Sequence, residues 1–230
     1  MSEPGPTVSV VIPAHQAERF LAESIRSVLD QDRPAVEIVV VDDGSTDATG
    51  EIAESFGDPV RVVHHATNRG EAGARNTGLA QATGEAISMH DADDRMLPHR
   101  LRTQVEHLVA AGGDTGCVLG QVEAFTEDGS PLPNWVLDRD GEAVTYGNSL
   151  VLAWRSTYDR IGGYDESFTT GTDSDWLLRV KAAGLAVGLI PEVLTERRVH
   201  DDNLSRSAES GQSGYVQSLR KLMAARREVE

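Results

Sequence analysis

The sequence has 230 residues, of which 39% are hydrophobic and 25% charged, proportions typical of one globular domain and not of a disordered chain. Its formal net charge of −16 argues against nucleic acid as a partner, because phosphate backbones are bound by clustered Lys and Arg. Cys117 is the only cysteine, which excludes an intramolecular disulfide and a cysteine-based zinc cluster.

No apolar run approaches the roughly 20 residues that span a bilayer, and residues 1–6 lack the charged-then-apolar pattern of a signal peptide. We therefore expect no transmembrane segment and a cytoplasmic location.

Strands and helices alternate through the first half of the sequence. Apolar runs predict strands at 8–12, 36–41, 60–63 and 86–90, and apolar spacings of three and four predict helices at 20–29, 47–56 and 72–82. The strand at 36–41 is nearly all apolar, as expected of a strand covered on both faces. This rhythm predicts an α/β fold with a mostly parallel sheet and right-handed crossovers.

The second half is less regular. Pro98 suits a first helical position and opens an amphipathic helix through Leu101, Val105 and Leu108. Further predictions are strands at 116–125, 150–153 and 186–190, a helix at 173–183, and a surface loop or small hairpin at 126–147. A terminal amphipathic helix is predicted within 206–230, where it could pack on the core or on a second copy to form a homodimer.

Polar side chains follow three of the predicted strands at the point where each strand ends, in the segments beginning at Asp42, Asn68 and Asp91. Ligands of parallel sheets bind beyond the carboxyl ends of the strands. This coincidence predicts one ligand site at that edge.

Asp91 and Asp93 place two carboxylates close together, with Asp94 beside them. Clustered carboxylates repel unless a cation or a proton intervenes, and oxygen ligands suit Mg²⁺ or Mn²⁺ shared with substrate phosphates. Such a cation would also let an acidic protein hold a diphosphate. The alternative is a solvated turn that caps the following helix.

Four other positions have both a chemical and a structural interpretation. Asp42 could accept hydrogen bonds from a ribose or a base, whereas the segment 45–47 that follows it could serve only to cap the next helix. Arg75 matches phosphate geometry but is equally typical of a surface ion pair. Asp173 could be a general base, or could compensate the dipole of the helix that it begins. His200 could be a metal ligand or an ordinary histidine.

Taken in order, these motifs resemble the family-2 inverting glycosyltransferases, which have the GT-A fold, over about residues 7–205. The resemblance rests on VSVVIPA at 8–14, VDDGSTD at 41–47, NRG at 68–70, ARNTG at 74–78, ATGE at 82–85, DADD at 91–94, IGGYDESF at 161–168, DSDWLLR at 173–179 and RVH at 198–200. It implies a single domain over 1–230, a three-layer α/β/α sandwich around a mostly parallel, Rossmann-like sheet. Residues 7–95 would form the nucleotide-sugar-binding half and 96–205 the acceptor-binding and catalytic-base half.

The resemblance also implies roles on the donor side, where a nucleoside diphosphate sugar, most simply a UDP-sugar, would bind. Asp43 or Asp42 would contact the base, Arg75 the base and diphosphate, and Asp91 the ribose. The complete set of donor contacts expected is Pro13, Ala14, Asp42, Asp43, Asn68, Arg75, Asp91 and Ala92.

On the reacting side, the resemblance implies that Asp93 and His200 hold Mn²⁺ or Mg²⁺ and that Asp173 deprotonates the acceptor. The acceptor would be a small molecule, a glycan or a peptide. Aromatic faces that could stack on it are expected at Trp154, Tyr164 and Trp176.

Two positions depart from the family pattern. Thr172 stands where the family commonly has Glu, which affects acceptor binding and the assignment of the base. His90 stands where the strand usually ends in an apolar residue, and it could contact metal or sugar, or simply pack. The sequence ends soon after His200, without the transmembrane helices of processive synthases, so we expect transfer of one sugar to a discrete acceptor.

Three other classes of protein are weighed against this interpretation. A sugar nucleotidyltransferase would want a glycine-rich loop with a basic residue after the first strand, and residues 13–17 lack both. An NAD-dependent dehydrogenase is disfavoured because no G-x-G-x-x-G follows that strand. A non-catalytic nucleotide-sugar-binding module remains as an alternative, which the intact Asp91, Asp93 and Asp173 disfavour.

Overall fold

The structure is a computed structural model, and it describes residues 5–134, 136–137, 143–201 and 203. The strands are β1 Val8–Ala14, β2 Glu37–Asp42, β3 Val60–His64, β4 Ala86–Met89, β5 Arg95–Met96, β6 Thr115–Phe125, β7 Val144–Trp154 and β8 Ala186–Arg198. The helices are α1 Leu21–Leu29, α2 Thr49–Glu54, α3 Gly70–Gln81, α4 Arg100–Ala110, α5 Arg155–Ile161 and α6 Thr172–Ala182.

The described strands form one eight-stranded sheet in the order β3-β2-β1-β4-β7-β6-β8-β5. Strands β3, β2, β1 and β4 are parallel, as the β-α-β rhythm predicts. In the second half, β7 lies antiparallel between β4 and β6, β8 runs parallel to β6, and β5 pairs antiparallel with β8. The sheet is therefore parallel in its first four strands, from β3 to β4, and mixed beyond them.

Helices cover both faces of the sheet. Alternate residues of β1 point to opposite sides, so that Val10 and Ile12 pack with α1, α2 and α4, whereas Val11 packs with α3, α5 and α6. The two apolar layers that result confirm the predicted three-layer α/β/α fold.

The second half departs from its predicted boundaries. Helix α5 was not predicted, since its short sequence has a weak apolar pattern and is fixed by burial of Thr157 and Tyr158. Strands β7 and β8 are longer than the apolar runs that predict them, because their remaining residues pair with β6. The helix predicted within 206–230, and the homodimer suggested for it, lie outside the described residues.

The parallel strands bring their carboxyl ends to one edge of the sheet. Strand β2 ends at Asp42, which pairs in register with Ala14 of β1, and β4 ends two residues before Asp91. The polar segments predicted to share an edge do share it. Within the described part of the chain, none of the helices is both long and apolar enough to cross a membrane.

Candidate active site

A buried arginine joins three carboxylates from different parts of the chain. Nη2 of Arg75, on α3, lies 2.6 Å from Oε1 of Glu71 and 3.2 Å from Oδ1 of Asp91. Nη1 of the same side chain binds Asp173, in the first turn of α6, and lies 3.4 Å from the Thr172 hydroxyl. Arg75 has no exposed surface. It therefore fixes α3, the segment after β4 and the start of α6 relative to one another.

The acidic segment after β4 is a tight turn with one carboxylate inside and two at its surface. The side chains of Asp91 and Asp93 are 28% and 29% exposed, whereas that of Asp94 is buried. Oδ1 of Asp94 accepts a hydrogen bond from the backbone N–H of Arg198 at 2.9 Å. Burial raises the pKa of Asp94 well above its usual value, and the charges of Asp93 and Asp91 raise it further. Asp94 thus stabilises the turn, and the partly exposed carboxylates of Asp91 and Asp93 are accessible to a ligand.

Asp93 meets His200 at this surface. Nε2 of His200 lies 2.9 Å from Oδ2 of Asp93, and Nδ2 of Asn203 donates to the same oxygen at 3.2 Å. Among the described residues, no group of three His, Cys, Asp or Glu side chains converges on a metal position. One carboxylate and one imidazole fit a divalent cation that takes its other ligands from a diphosphate and water.

Asp173 is the second residue of α6, which Thr172 begins directly after Gly171, and the φ of 76° at Gly171 is in the left-handed region that glycine tolerates. Burial raises the pKa of Asp173, the charge of Arg75 opposes the rise, and the charge of Asp91 adds to it. A carboxylate with a raised pKa is a stronger base than an exposed one. Thr172, the replacement for the family's Glu, contacts Arg75.

The two aspartates at the end of β2 are buried and hold loops in place. Asp43 accepts a hydrogen bond from the backbone N–H of Arg69 at 2.8 Å and lies 2.6 Å from Nδ1 of His65. Asp42 accepts from the backbone N–H of Ser45 at 3.1 Å and lies 3.0 Å from Nδ1 of His64. Burial alone would raise the pKa of Asp42, but the hydrogen bonds from Ser45 and His64 outweigh it and lower that pKa.

The other residues expected on the donor side lie at the same edge. The backbone carbonyl of Ala14, which follows Pro13, accepts a hydrogen bond from the N–H of Asp43 at 2.8 Å. Oδ1 of Asn68 accepts from the N–H of Gly70 at 2.8 Å and so shapes the entry to α3. Ala92, within the acidic turn, is buried against the core.

A second buried arginine lies behind the acidic turn. Arg100, at the start of α4, donates from Nη2 to the carbonyl of Met89 at 2.7 Å and from Nη1 to the Thr195 hydroxyl at 2.9 Å and to Nδ1 of His90 at 3.3 Å. Burial lowers its pKa to about 10, so it stays protonated at neutral pH. His90 is fully buried, and desolvation and the charge of Arg100 lower its pKa. His90 therefore packs as a neutral side chain beneath the acidic turn and has no exposed surface.

A third buried arginine, Arg198 at the end of β8, lies between the rings of Phe20 and Phe125, 4.6 and 4.9 Å from their centroids. Its Nε donates to the carbonyl of Asp93 at 3.0 Å. Its two Nη atoms lie 2.5 Å from carboxylate oxygens of Glu127 and Glu23. Arg198 thus fixes the backbone of Asp93 while its charge is balanced by two glutamates.

The three aromatic residues expected on the acceptor side are placed differently, and that expectation is corrected. Tyr164 and Trp176 are only 4% and 1% exposed and stack on each other in the core, with ring centroids 6.0 Å apart. Tyr164 supports Arg75, whose guanidinium carbon lies 5.2 Å from its ring centroid. Trp154 pairs with Ala86, at the amino end of β4, so it lies at the opposite edge of the sheet from Asp91. None of the three presents a ring to a sugar beside Asp173.

Sequence reasoning missed Glu71 and Arg100 and gave Arg198 no role beyond its motif. The only sequence feature that could have pointed to Glu71 is its spacing: it lies four residues before Arg75 and so on the same face of a helix. Arg100 occupies the first turn of an amphipathic helix, where nothing in the sequence distinguishes it from a surface residue.

Solved structures with this fold include complexes with nucleotide sugars. S. aureus TarS (residues 1–349) in complex with UDP-GlcNAc superposes with a TM-score of 0.71 at 19% identity, over 93% of this chain and 64% of that one. The mannosyltransferase PcManGT from Pyrobaculum calidifontis, in complex with GDP-Man and Mn²⁺, superposes with a TM-score of 0.75 at 22% identity, over 97% of this chain and 66% of that one. At these identities the likeness concerns the fold.

Sequence relatives agree with the fold. The chain is 42% identical over 128 residues to the succinoglycan biosynthesis protein ExoO of Rhizobium meliloti, which is 55% of this chain and 36% of that protein. It is 32% identical over 136 residues to the glycosyltransferase GlyG of Streptococcus pneumoniae, 58% of this chain and 44% of that protein. The chain therefore matches only part of the length of these relatives. The model of the family described as Glycosyl transferase family 2 matches residues 9–171, more than half of the chain. The chain belongs to glycosyl transferase family 2.

Proposed function

We propose that this chain transfers one sugar from a nucleoside diphosphate sugar to an acceptor hydroxyl, with inversion at the anomeric carbon and with the help of Mn²⁺ or Mg²⁺. One observation carries the proposal. Arg75 joins Asp173 to Asp91 at the sheet edge where Asp93 and His200 meet. In this arrangement Asp173 would serve as the base, Asp91 would bind the ribose, and Asp93 and His200 would be the cation ligands.

The donor would bind across the ends of the parallel strands, within residues 7–95. Asp91 would accept hydrogen bonds from the ribose, and Arg75, with the polypeptide at Pro13, Ala14, Asn68 and Ala92, would shape the base and diphosphate site. Asp42 or Asp43 would accept a hydrogen bond from the base. We take UDP as the first donor nucleotide to test, and GDP as the second, since related structures contain one or the other.

The reaction would be a single displacement. Asp173 takes the proton of the acceptor hydroxyl as its oxygen forms a bond to the anomeric carbon from the face opposite the diphosphate. The bond between that carbon and the diphosphate oxygen breaks, and its electron pair leaves with the diphosphate. Asp93 and His200 would hold the divalent cation, which, when bound, neutralises charge developing on the leaving group. The acceptor, a glycan, a small molecule or a peptide, would enter on the side formed by residues 96–205.

The test is a transfer assay with a panel of UDP- and GDP-sugars, with Mn²⁺, with Mg²⁺ and with chelator, that measures release of the nucleoside diphosphate. Asp173→Asn should retain binding of the nucleotide sugar but lower transfer by about 10²-fold or more, since general-base help is typically worth ~10²–10⁴-fold. Asp159→Asn, an exposed position on α5, is the matched control and should leave transfer unchanged.

The outcomes separate the parts of the proposal. Transfer at near-normal rate by Asp173→Asn would move the base elsewhere. Asp175 is a poor substitute, because its buried carboxylate is 2.8 Å from Nε of Arg179. Retention at the anomeric carbon, measured by NMR of the product, would rule out the single displacement. Binding of nucleotide sugars without transfer from any of them would indicate a binding module instead of an enzyme.

A further inference from the structure

Arg75 carries one positive charge but serves three carboxylates. Its Nη2 is shared between Glu71 at 2.6 Å and Asp91 at 3.2 Å, and its Nη1 binds Asp173. Its Nε has no hydrogen-bond partner among the described residues, so all hydrogen bonds that Arg75 donates come from Nη1 and Nη2. A guanidinium so placed cannot compensate all three carboxylates at once. The carboxylates therefore compete for it.

We propose that Glu71 is a positioning residue for the transfer reaction: by sharing Arg75, it determines how firmly Arg75 holds Asp173 and therefore how strong a base Asp173 is. The inference rests on the proposed function of Asp173 as the base. Glu71 needs no contact with the substrate for this role, because it acts through Arg75.

The sign of the effect follows from the charges. When Glu71 is ionised, its negative charge partly cancels the effect of Arg75 on Asp173, and it also repels the Asp173 carboxylate. Both effects raise the pKa of Asp173 and make it more basic. When Glu71 is protonated, Arg75 is left to Asp173 and Asp91, and Asp173 becomes a weaker base.

Among the residues that the structure describes, other charged and titratable groups approach the pair from the turn after β4, from beneath Arg75 and from α6. Asp91 and Asp93 face it from the turn after β4, and the phenol of Tyr164 lies beneath Arg75. On α6 itself, Asp175 is neutralised by Arg179. Burial raises the pKa of Glu71 to about 7, with Arg75 opposing the rise and Asp173, Asp91 and Asp93 adding to it. The carboxyl group of Glu71 therefore ionises near neutral pH.

The first test needs no donor. In protein labelled with ¹³C at the aspartate carboxyls, the Asp173 signal is assigned by its absence in Asp173→Asn and followed by NMR as the pH rises from about 4 to 9. In the wild-type chain, this signal should show a step near pH 7 in addition to its own titration. The step should disappear in Glu71→Gln and persist in Glu51→Gln, an exposed glutamate on α2.

The second test is kinetic. The transfer rate of the wild-type chain should rise as the pH increases through about 7, and Glu71→Gln should lose that rise. At pH 8 we expect its kcat to be roughly 3- to 10-fold lower, with the KM for the donor unchanged, because a base weakened by about one pKa unit loses about that much rate. Glu51→Gln should keep the wild-type profile.

Two results would overturn the inference. One is a wild-type Asp173 signal that does not respond near pH 7, which is decisive even if Glu71→Gln does not fold. The other is a step, or a kinetic rise, that survives in Glu71→Gln, since Glu71 would then only stabilise α3. Absence of transfer in the wild-type chain would overturn the proposed function, and the NMR titration would still decide the coupling of Glu71 to Asp173.

Discussion

Buried arginines compensate the negative charges of the acidic side chains at the candidate site. Arg75, Arg100 and Arg198 are among the largest fully buried side chains of the described residues, and each reaches the 91–94 turn or its neighbours from a different element. Burying a guanidinium is costly unless it is paired and hydrogen-bonded. Here that cost is offset by carboxylates and carbonyls that would otherwise repel one another or lack donors.

Arg100 differs from the other two in that it forms no ion pair among the described residues. Its partners are hydroxyls, a carbonyl, an amide and the neutral His90. The charges of Asp91 and Asp94 act on it from a distance and favour its protonated form. Arg100 therefore supplies a fixed positive charge beneath the turn without occupying a carboxylate that a ligand would need.

Asp93→Ala tests the cation site. The substitution removes one of the two ligands, and we expect the Mn²⁺-dependent part of turnover to fall at least about 100-fold, because the cation no longer neutralises the leaving diphosphate. Folding should be unaffected, since the hydrogen bonds of this part-exposed carboxylate go to His200 and Asn203. The measurement is the rise in melting temperature on adding Mn²⁺ with nucleotide, together with turnover. Asp159→Ala is the control, and an undiminished Mn²⁺ effect in Asp93→Ala would place the cation elsewhere.

The predicted strand ends put Asp91 and Asp93 at one edge of the sheet, and the resemblance to a family added Asp173 and His200 to the predicted site. The sequence could not assign Glu71 or Arg100. Both lie on helices, and their partners belong to other elements that only the packed fold brings near. The same limit explains Tyr164 and Trp176, whose rings suit a sugar face as well as a core until burial is known.

At the scale of elements, the first half of the chain was predictable and the second half less so. Parallel strands covered on both faces read as apolar runs, and β1, β2 and β4 differ from their predicted limits by only a residue or two. Strand β7 could be predicted only from 150 to 153. Its earlier residues form no apolar run, and they belong to the strand because they pair with β6. The short helix α5 likewise depends on tertiary contacts.

Gly78→Ala tests the close packing of α3 on β1. A Cβ at this position would lie 2.2 Å from Cγ1 of Val11, in the middle of the sheet. Alanine favours a helix by about 1 kcal/mol over glycine, but overpacking a core costs about 1–3 kcal/mol. We expect the free energy of unfolding to fall by about 1–2 kcal/mol in urea titrations. Gly113→Ala, where a Cβ meets nothing within 4 Å, should change it by less than about 0.5 kcal/mol. An unchanged or increased stability of Gly78→Ala would show that α3 shifts to make room.

For the whole molecule, the net charge of −16 affects both ligand and stability. A surface with this excess of carboxylates repels a free diphosphate, so the proposed donor would need local positive charge from a cation and from Arg75. The acidic residues at the candidate site belong to the same excess, and burial raises the pKa of one of them, Glu71.

The pH dependence of stability shows this most directly. The pKa of Glu71 is raised to about 7 in the folded chain, above its unfolded value near 4.5. The folded state therefore binds more protons between these values, and the stability that Glu71 contributes is fully present below about pH 4.5 and lost as the pH rises through 7. The loss is on the order of 3 kcal/mol at pH 8. The measurement is the free energy of chemical unfolding at a series of pH values. In Glu71→Gln this free energy should lack the fall, so that it increases relative to that of the wild-type chain as the pH rises from 4.5 to 8. Glu51→Gln should follow the wild-type curve. A wild-type curve parallel to that of Glu71→Gln would mean that Glu71 ionises in the folded chain as it does in the unfolded one.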